Sequence, residues 1–419
     1  MSRLILLLIL TLTLKSEQLA FPTAEGFGQY SKGGRGGKVY FVTKLLDNRS
    51  DIPMIKGSLR EAVEAEGPRT VIFKVSGTIH LQRPLIITNP FITIAGQSAP
   101  GDGICLSQHE VQIRTNDVII RHLRIRPGDT LGKIFKKHGK SWSADALNIT
   151  KGSKNVIVDH CSMSWGNDEV CSVSGEGITN VTVQWSFITE SLNDSTHEKG
   201  PHGYGSLIRT NGNISFHHNL YAYHRSRSPR PGTYGEGSIL FDFRNNFMFK
   251  GGQGYTSKDP VRMNFIANWH ENTPFKAREA CQFFAQGNKG IFSGGRQLKR
   301  EFKVATVKTS SAEQAKKDIL KFSGATLPVR DKIDQRIVDQ ISKNKGSIIN
   351  SQNDVGGYCL LTKGTALKDS DNDGMPDNWE LKFKLDVQKE SNNIDTDSDG
   401  YTDLEEFLNN TDPTQKEEK

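Results

Sequence analysis

The chain has 419 residues, with 54 Lys and Arg against 47 Asp and Glu, and a net charge of +7 at pH 7. This length accommodates one large domain and a smaller one. Five cysteines in a chain of this size exclude a disulfide-dense scaffold.

Residues 1–20 have the features of a secretory signal peptide. Arg3 supplies a positive charge, residues 4–14 form an apolar run, and Ala20 is the predicted last residue before cleavage. The apolar run is too short for a normal membrane span, and no later segment is long and apolar enough. The sequence therefore predicts a secreted, extracellular protein without a membrane anchor.

Charge is distributed unevenly along the chain. Residues 367–419 carry a net charge of −10, which leaves +17 on the remainder. This division indicates a polyanionic partner for the basic part and a cation for the acidic tail, although solubility alone would also account for it. Nucleic acid is not predicted, because zinc-ligand spacing, a basic helix and an aromatic RNA-binding signature are all missing from the sequence.

The middle of the chain is a repeat of short alternating segments. They begin at residues 91, 117, 155, 180, 213, 238, 261 and 281, mostly 20 to 26 residues apart. Strands and turns without helices between them predict a parallel β-helix. Asn155 and Asn180 lead two successive units, where asparagine tolerates left-handed geometry and can bond to its equivalent in the next coil. A β-sandwich fits less well, because hairpin turns are scarce.

Two wider spacings mark insertions, at residues 127–145 and 190–206, which we expect to be loops on one face of the solenoid. Residues 302–345 predict two amphipathic helices, one capped by Ser310 with Glu313 and one beginning after Asp331. The predicted domain therefore spans residues 21–345 with its terminal helices. Residues 346–366 form a linker or a final strap, and residues 367–419 form a separate module.

That last module contains two copies of a calcium-loop pattern. Alternating carboxylates converge on a hard cation, a glycine allows the sharp turn, a backbone carbonyl adds a ligand, and the last glutamate binds through both oxygens. The predicted ligands are Asp369, Asp371, Asp373, Met375, Asp377 and Glu380 in the first loop, and Asp395, Asp397, Asp399, Tyr401, Asp403 and Glu406 in the second.

Both loops match the EF-hand pattern, but the segment before the first loop is a poor helix. Modules with shortened entering elements, similar to dockerins or thrombospondin-type repeats, therefore also fit. We expect these Ca²⁺ ions to be structural, holding the tail folded, rather than to act in signalling.

Several blocks of the chain resemble the secreted pectate lyases of polysaccharide lyase family 1. They are the opening from Phe21, GSLREAVE, GTIHLQRPLIIT, FITIAGQSAPGDGICL, DHCSMSWGNDEV, HEKGPHGYGS and HRSRSPR, in the order in which the family has them. The resemblance covers about residues 21–357. It implies a right-handed parallel β-helix and calcium-assisted β-elimination of de-esterified homogalacturonan, an acidic polysaccharide.

The resemblance also implies roles for individual residues. Arg227 matches the catalytic arginine, which would take the proton from C5 of a galacturonate. Arg230 and Lys199 would clamp substrate carboxylates, and His202 in the second insertion would contact substrate. On composition alone, the arginines at 225, 227 and 230 would instead be an exposed basic turn.

A catalytic-site Ca²⁺ would be bound by Asp145 and Asp168, with Glu169 as an alternate ligand. Two family positions that carry acids in some members are here Ser143 and Ser172, so we expect this Ca²⁺ to be weakly held or to bind only with substrate. Without the resemblance, Asp168 would be interpreted equally well as the cap of a turn.

Three rival functions remain open. A polygalacturonase needs a carboxylate pair as acid and base, but Asp168 and Glu169 are neighbours whose side chains should diverge. A pectin lyase would act on methyl esters without calcium and should have a more aromatic pocket. A non-catalytic β-helix would bind pectin only. We expect a monomer in each case.

The remaining chemistry-bearing residues have structural interpretations. Cys161 and Cys171 could pair, although buried thiols are equally consistent with the sequence. Several histidines, among them His160, His217 and His218, lack zinc-site spacing and are expected to stack or to form hydrogen bonds inside the coils. Sequons for N-glycosylation occur at Asn48, Asn148, Asn180, Asn193, Asn213 and Asn409.

Overall fold

The eight repeated segments become neighbouring strands of one parallel sheet. In the computed structural model, which describes residues 17–416, each coil of chain contributes a short strand to each of up to three sheets. Every strand pairing within that range is parallel. The fold is therefore a right-handed parallel β-helix, as predicted.

The strands, in chain order, are β1 Lys38–Val42, β2 Arg69–Phe73, β3 Gly77–His80, β4 Leu85–Ile87, β5 Ile92–Ala95, β6 Ile104–Ser107, β7 Val111–Ile113, β8 Val118–Arg121, β9 Arg124–Arg126, β10 Leu147–Thr150, β11 Lys154–Asp159, β12 Ser162–Ser164, β13 Cys171–Ser174, β14 Thr179–Gln184, β15 Phe187–Thr189, β16 Leu207–Arg209, β17 Asn213–His217, β18 Leu220–Ala222, β19 Arg230–Gly232, β20 Ile239–Arg244, β21 Phe247–Phe249, β22 Gly254–Tyr255, β23 Val261–Ile266, β24 Trp269–Glu271, β25 Phe275–Gln286 and β26 Phe292–Gln297.

The helices are α1 Leu59–Glu64, α2 Thr130–Lys137, α3 Ala312–Phe322, α4 Lys332–Ser342, α5 Asp377–Lys382 and α6 Asp403–Asn409, with short 3₁₀ turns at Gly96–Ser98 and Gln352–Val355.

Three sheets form the walls of the β-helix. Sheet A has twelve strands in the order β1-β2-β5-β8-β11-β14-β17-β20-β23-β25-β22, with β26 on β25. Sheet B has eight strands, β24-β21-β18-β15-β12-β9-β6-β3, and sheet C has six, β19-β16-β13-β10-β7-β4. A coil passes from sheet A to B to C, so the same corner recurs on successive coils.

Apolar side chains line the inside in vertical columns. In sheet A, Val156, Val181, Ile214, Phe241 and Met263 are paired in register on five successive strands, and all are fully buried. Burying one such side chain contributes about 1.5–3 kcal/mol. The alternation within each repeat thus fixes which residues face the core.

Asparagine ladders stabilise the turns between coils. Asn155 and Asn180 have φ of 52° and 55°, and Asn180 Nδ2 donates to Asn155 Oδ1 at 3.1 Å, which confirms the sequence prediction. A second ladder, at Asn219, Asn246, Asn268 and Asn288, was not predicted, although an asparagine recurs at this place in each repeat.

A stack of aromatic rings follows the corner between sheets A and B. His160 lies between the rings of His122 and Trp185, at centroid distances of 5.0 and 6.0 Å, and Trp185 stacks on His218 at 4.2 Å. Asp159, beside His160, is paired with Arg121 at 2.8 Å. These contacts confirm the stacking of His160 and His218. Ligand atoms of His122, Asp159 and His160 also lie within 4.8 Å of one another, but Asp159 is already paired with Arg121.

Helices α3 and α4 cover sheet B. Their apolar faces, including Ile319 and Ile337, pack on Phe187 and Phe247 in one buried cluster. Helix α4 begins after Asp331 as predicted. The cap of α3 is Ser311 rather than Ser310, because the Ser311 side chain is the one that accepts from the Gln314 N–H.

Residues 346–366 run as a strap along the β-helix and are not a free linker. Ile349 and Leu361 are buried, and the Tyr358 hydroxyl donates to the carbonyls of Arg126 and Pro127 at 2.7 and 2.8 Å. Apolar residues of this segment therefore pack on the outside of the solenoid, as Ile349 does in the cluster that contains Phe187.

The N-terminal prediction lies mostly outside the described residues, since residues 1–16 are not among them. Ala20 is buried, and its N–H donates to the Gln29 carbonyl. Cleavage after Ala20 stays a prediction. No helix among residues 17–416 is long and apolar enough to span a membrane.

The cysteines and the sequon asparagines occupy structured surroundings. All five cysteines are free thiols, so Cys161 and Cys171 do not form a disulfide. Asn48 is buried, and the other five sequon asparagines are half-buried. In several of them the amide nitrogen already donates a hydrogen bond, as Asn409 does to the Glu405 carbonyl at 2.7 Å. Glycosylation stays a prediction.

Candidate active site and calcium loops

The predicted catalytic residues lie at one corner, where successive coils turn from sheet B into sheet C. Asp145 precedes β10, Asp168 and Glu169 precede β13, and Arg227 precedes β19. The insertion at residues 190–206 leads into β16 at the same corner. Because these strands are neighbours in sheet C, residues far apart in sequence are brought together.

Three carboxylates form the centre of this corner. Oxygen atoms of Asp145, Asp168 and Glu169 lie within 4.8 Å of one another. The Glu169 N–H donates to Asp145 Oδ1 at 3.1 Å, and the Ser143 hydroxyl donates to Asp168 Oδ2 at 3.2 Å. The expected divergence of Asp168 and Glu169 is wrong, because they lie in a turn before β13 and not in a regular strand.

Arg227 contacts this carboxylate cluster directly. Its guanidinium donates to Glu169 Oε1 and lies 4.1 Å from the ring centroid of Tyr204. Its backbone has φ of 57°, with the N–H donating to the Gln253 carbonyl and the carbonyl accepting from the Ser206 N–H. This left-handed geometry turns the side chain toward the cluster and is held by the coils on either side.

Burial shifts the pKa values of the charged groups at this corner. It lowers the pKa of Arg227, and the neighbouring positive charge of Arg230 lowers it further. It raises the pKa of Asp145 well above its usual value, with the nearby charges of Asp168 and Glu110 adding to the effect. Carboxylates crowded in this way are stabilised by a cation.

The donor set fits Ca²⁺. The ligand atoms are all oxygens, which a hard cation prefers. Glu169 is occupied by Arg227, so Asp145 and Asp168 are the residues that would hold the ion. Ser172, at the second position where an acid is replaced, lies in β13 beside Asn148 and is buried.

The insertion before β16 adds groups on the open side of Asp168. His197 Nε2 lies 3.4 Å from Asp168 Oδ2, and His202 Nε2 lies 3.9 Å from Oδ1. The two imidazole rings stack at 3.7 Å. The Lys199 N–H donates to His197 Nδ1, which leaves Nε2 of a neutral His197 as the donor to Asp168. Sequence reasoning missed His197 and Tyr204, although both lie in the HEKGPHGYG insertion.

The predicted substrate clamps are present at this corner but do not touch the carboxylates. Lys199 is exposed on the insertion. Arg230 is the first residue of β19, and its guanidinium lies 5.9 Å from the ring centroid of Tyr255, as does that of Arg278. The corner therefore offers positive charge beside an acidic centre.

The two C-terminal loops each gather three aspartates. Oxygen atoms of the first three predicted aspartates of each loop lie within 4.8 Å of one another. Gly374 and Gly400 have φ of 99° and 106°, values that favour glycine. Glu380 and Glu406 are buried, and neither has a hydrogen-bond partner for its two oxygens within residues 17–416. Burial and the surrounding aspartates raise the pKa of each glutamate to about 8.

The EF-hand prediction is corrected in part. Helices α5 and α6 follow the loops, but residues 363–376 and 383–402 contain no helix to enter them. The sequence before each loop lacks a continuous apolar face and therefore remains extended or turned. The ninth-position aspartates are not among the three clustered aspartates, because Asp377 accepts hydrogen bonds from Ser370 and Asp403 accepts them from Thr396. The units are loop–helix motifs.

Comparisons with known proteins agree with this architecture. No family model matches the chain. It is 33% identical over 433 residues to the probable pectate lyase C of Aspergillus flavus, covering 95% of each chain. It is also 33% identical over 431 residues to that of Emericella nidulans, covering 94% of this chain and 93% of the other.

A solved structure supports the fold. The major allergen jun a 1 from cedar pollen superposes with a TM-score of 0.53 at 19% identity, covering 72% of this chain and 92% of its own. Sequence identity to the two fungal relatives extends over nearly the whole chain, so it shows the family as well as the fold. The chain belongs to the pectate lyase family and is a polysaccharide lyase.

Proposed function

We propose that the protein is a secreted enzyme that cleaves de-esterified homogalacturonan by calcium-assisted β-elimination. The observation that carries this proposal is the contact between the Arg227 guanidinium and the cluster of Asp145, Asp168 and Glu169. A basic group beside an oxygen-ligand site is the arrangement that removal of a proton next to a carboxylate requires.

The proposed step transfers one proton from the substrate and breaks one C–O bond. The C5–H bond of a galacturonate breaks and its proton goes to Arg227. The electron pair forms the C4=C5 double bond, and the C4–O bond to the leaving sugar breaks. The leaving oxygen then takes a proton from solvent.

The protein's residues support this step in different ways. A guanidinium ordinarily has a pKa above 12 and is therefore charged. Burial and the positive charge of Arg230 lower the pKa of Arg227, which favours its neutral form as the pH rises. Lys199 and Arg230 would orient substrate carboxylates, and His202 would contact the sugar. Ca²⁺ held by Asp145 and Asp168 would neutralise the substrate carboxylate next to C5.

The two C-terminal loops are proposed as structural Ca²⁺ sites. In the first, Asp369, Asp371, Asp373, Glu380 and the Met375 carbonyl would hold the ion. In the second, Asp395, Asp397, Asp399, Glu406 and the Tyr401 carbonyl would do so. The two buried glutamates support this assignment, because their oxygens lack hydrogen-bond partners in the described part of the chain and an uncompensated carboxylate is costly in the interior. Asp377 and Asp403 would act through water.

One assay distinguishes the rival activities. The protein is incubated with polygalacturonate at alkaline pH, with Ca²⁺ or with a chelator, and the ultraviolet absorbance of the unsaturated product is followed. We expect growth of absorbance that depends on Ca²⁺. Reducing ends without absorbance would indicate hydrolysis, and cleavage of methyl-esterified pectin without Ca²⁺ would indicate a pectin lyase. Binding without cleavage would indicate a non-catalytic protein.

The structure favours the lyase over a hydrolase. A glycoside hydrolase needs one carboxyl group that stays protonated to act as the acid. Glu169 is paired with the Arg227 guanidinium, so it is not free to act as that acid. A hydrolase mechanism would also leave the positive charge of Arg227 and Arg230 without a role.

A further inference from the structure

The C-terminal segment, residues 367–416, is packed against the body of the β-helix. Met375 and Leu404 of the segment form one buried cluster with Ile72 of β2 and Ala95 of β5. Ile72 and Ala95 point outward from sheet A, because their neighbours along each strand belong to the interior core. The segment therefore covers an apolar strip on the outside of the first coils.

The calcium loops themselves form part of this interface. Met375 and Tyr401, whose carbonyls are the predicted seventh-position ligands, are 0% and 5% exposed. A Cβ added to Gly374 would lie 3.3 Å from Val39 and 3.4 Å from Ile72. The backbone that would bind the ions is thus the backbone that contacts the β-helix.

Charge is complementary across the interface. Arg35 of the body donates to both oxygens of Glu405, at 2.8 and 2.9 Å. Lys74 Nζ lies 3.4 Å from Asp369 Oδ2, and Arg121 donates to Asn409 Oδ1 at 2.6 Å. The basic body and the acidic tail, separate features of the sequence, are here in direct contact.

The negative charge of the buried glutamate in each loop is not compensated by a nearby positive group of residues 17–416. Glu380 and Glu406 are 0% and 1% exposed, and the charged groups around each are the aspartates of its own loop. Within the described part of the chain their oxygens have no hydrogen-bond donor. A cation in each loop would compensate these buried charges and stabilise the docked segment. A buried charge that loses its partner is strongly destabilising.

We propose that Ca²⁺ in the two loops locks the C-terminal segment onto β1, β2, β5 and β8, so that the segment is a calcium-dependent clamp on the first coils of the β-helix. This role is separate from catalysis. It rests on the loop ligands of the proposed function and not on its catalytic step.

Linkage gives the clamp a distinctive signature. If Ca²⁺ favours docking, docking must favour Ca²⁺ binding by the same factor. A residue of the β-helix that touches the segment, but is no ligand, should then change the affinity of the loops. Arg35 is such a residue, because Glu405 lies outside the predicted ligand set.

The test measures binding of Ca²⁺ alone to the full-length chain by titration calorimetry. Asp145→Asn is present throughout, to weaken the catalytic site. We expect Arg35→Ala to weaken loop binding about fivefold or more, and Arg35→Lys to recover part of the loss. Arg49→Ala is the matched control, since Arg49 is exposed and pairs only with Asp51 among the described residues. Equal affinity of Arg35→Ala and this control would overturn the proposal.

A second measurement stands if Arg35→Ala fails to fold. Limited proteolysis of the unmodified chain is compared with Ca²⁺ and with a chelator. We expect new cleavage sites between residues 363 and 416 on chelation, and in the Glu380→Gln/Glu406→Gln variant even with Ca²⁺. Asp386→Asn/Glu390→Gln changes two exposed acids of the same segment and should stay protected with Ca²⁺. A segment that resists cleavage without Ca²⁺ contradicts the clamp.

The two proposals fail separately. Absence of turnover on polygalacturonate would reject the proposed function while leaving the binding and proteolysis results intact. A chain that turns over polygalacturonate, yet whose segment is indifferent to Ca²⁺, would reject only the clamp.

Discussion

The catalytic corner and the C-terminal loops are both clusters of three carboxylates, but they are built in opposite ways. The corner draws Asp145, Asp168 and Glu169 from two successive coils, and Arg227 from a later coil contacts them. Each loop takes its carboxylates from one short stretch and contains a buried glutamate that has no hydrogen-bond partner among residues 17–416. The first cluster contacts a guanidinium, whereas the aspartates of each loop surround a buried glutamate.

Ligand type alone therefore does not separate a catalytic ion from a structural one. Under the proposed function, Asp168, which is partly exposed and faces the histidines of an insertion, would let a substrate complete the shell of the ion. In the loops the chain itself would add a buried glutamate, Glu380 or Glu406, to the three aspartates, two of which are partly exposed in each loop. The number of ligands supplied by the chain itself should therefore govern affinity.

The strongest test of the comparison is Arg227→Lys. Loss of the base should lower kcat about 10²–10⁴-fold, since a positioned general base contributes on that order. The rate is measured by ultraviolet absorbance of the unsaturated product, and circular dichroism checks the fold. A variant that retains near-normal turnover would remove Arg227 from the mechanism and leave the corner as a second structural site.

The pH dependence of the rate should also distinguish the corner from a purely structural site. Arg227 must be deprotonated to take a proton, and its pKa is lowered by burial and Arg230, so kcat should rise as pH increases from about 7. The rise approaches tenfold per pH unit while the neutral form is scarce. It is measured at saturating Ca²⁺, and a rate that falls over this range would contradict the assignment.

Matched ligand substitutions should separate the two kinds of site. Asp145→Asn should raise the Ca²⁺ concentration needed for half-maximal turnover about tenfold or more, because removing a ligand costs at least as much as removing a supporting group. Asp371→Asn, in the first loop, should leave that concentration unchanged. Parallel shifts in both variants would mean that the loops, and not the corner, set the calcium requirement.

His197 should matter at the corner in a smaller way. Its Nε2 supports Asp168, so His197→Ala should raise the Ca²⁺ requirement several-fold with little change in kcat. His197→Asn, which keeps a donor, should restore part of the loss. If His197→Ala lowers kcat and stability together, the residue serves folding rather than ligand positioning.

The smallest effect is expected from thiol reagents. Burial raises the pKa of Cys105, Cys161 and Cys281 to about 12, which lowers their thiolate fraction about a thousandfold at pH 8. Native protein should react slowly and keep full activity, whereas the unfolded chain should expose five reactive thiols. Rapid labelling of Cys171, at the start of the strand behind the carboxylates, would show that the corner opens.

Residues 155–289 show how far sequence alone reaches. Alternation of apolar and polar residues at a steady spacing determined the strands of sheet A, and Asn155 and Asn180 identified the turns. The loop patterns identified Gly374, Gly400 and the aspartate clusters, because all of these depend on neighbours within a few residues. Arg227 and Asp145 came from the resemblance, since spacing in sequence carries no information about which coils are adjacent at a corner.

Only the tertiary structure decided contacts between residues distant in the chain. It paired Glu169 with Arg227, placed His197 against Asp168 and seated Met375 on Ile72. It also left residues 383–402 without the entering helix of an EF-hand, and it placed residues 346–366 as a strap, one of the two forms that the sequence allowed. Periodicity specifies which side of a strand faces the core, but the partner on the outer side depends on how the termini fold back over the solenoid.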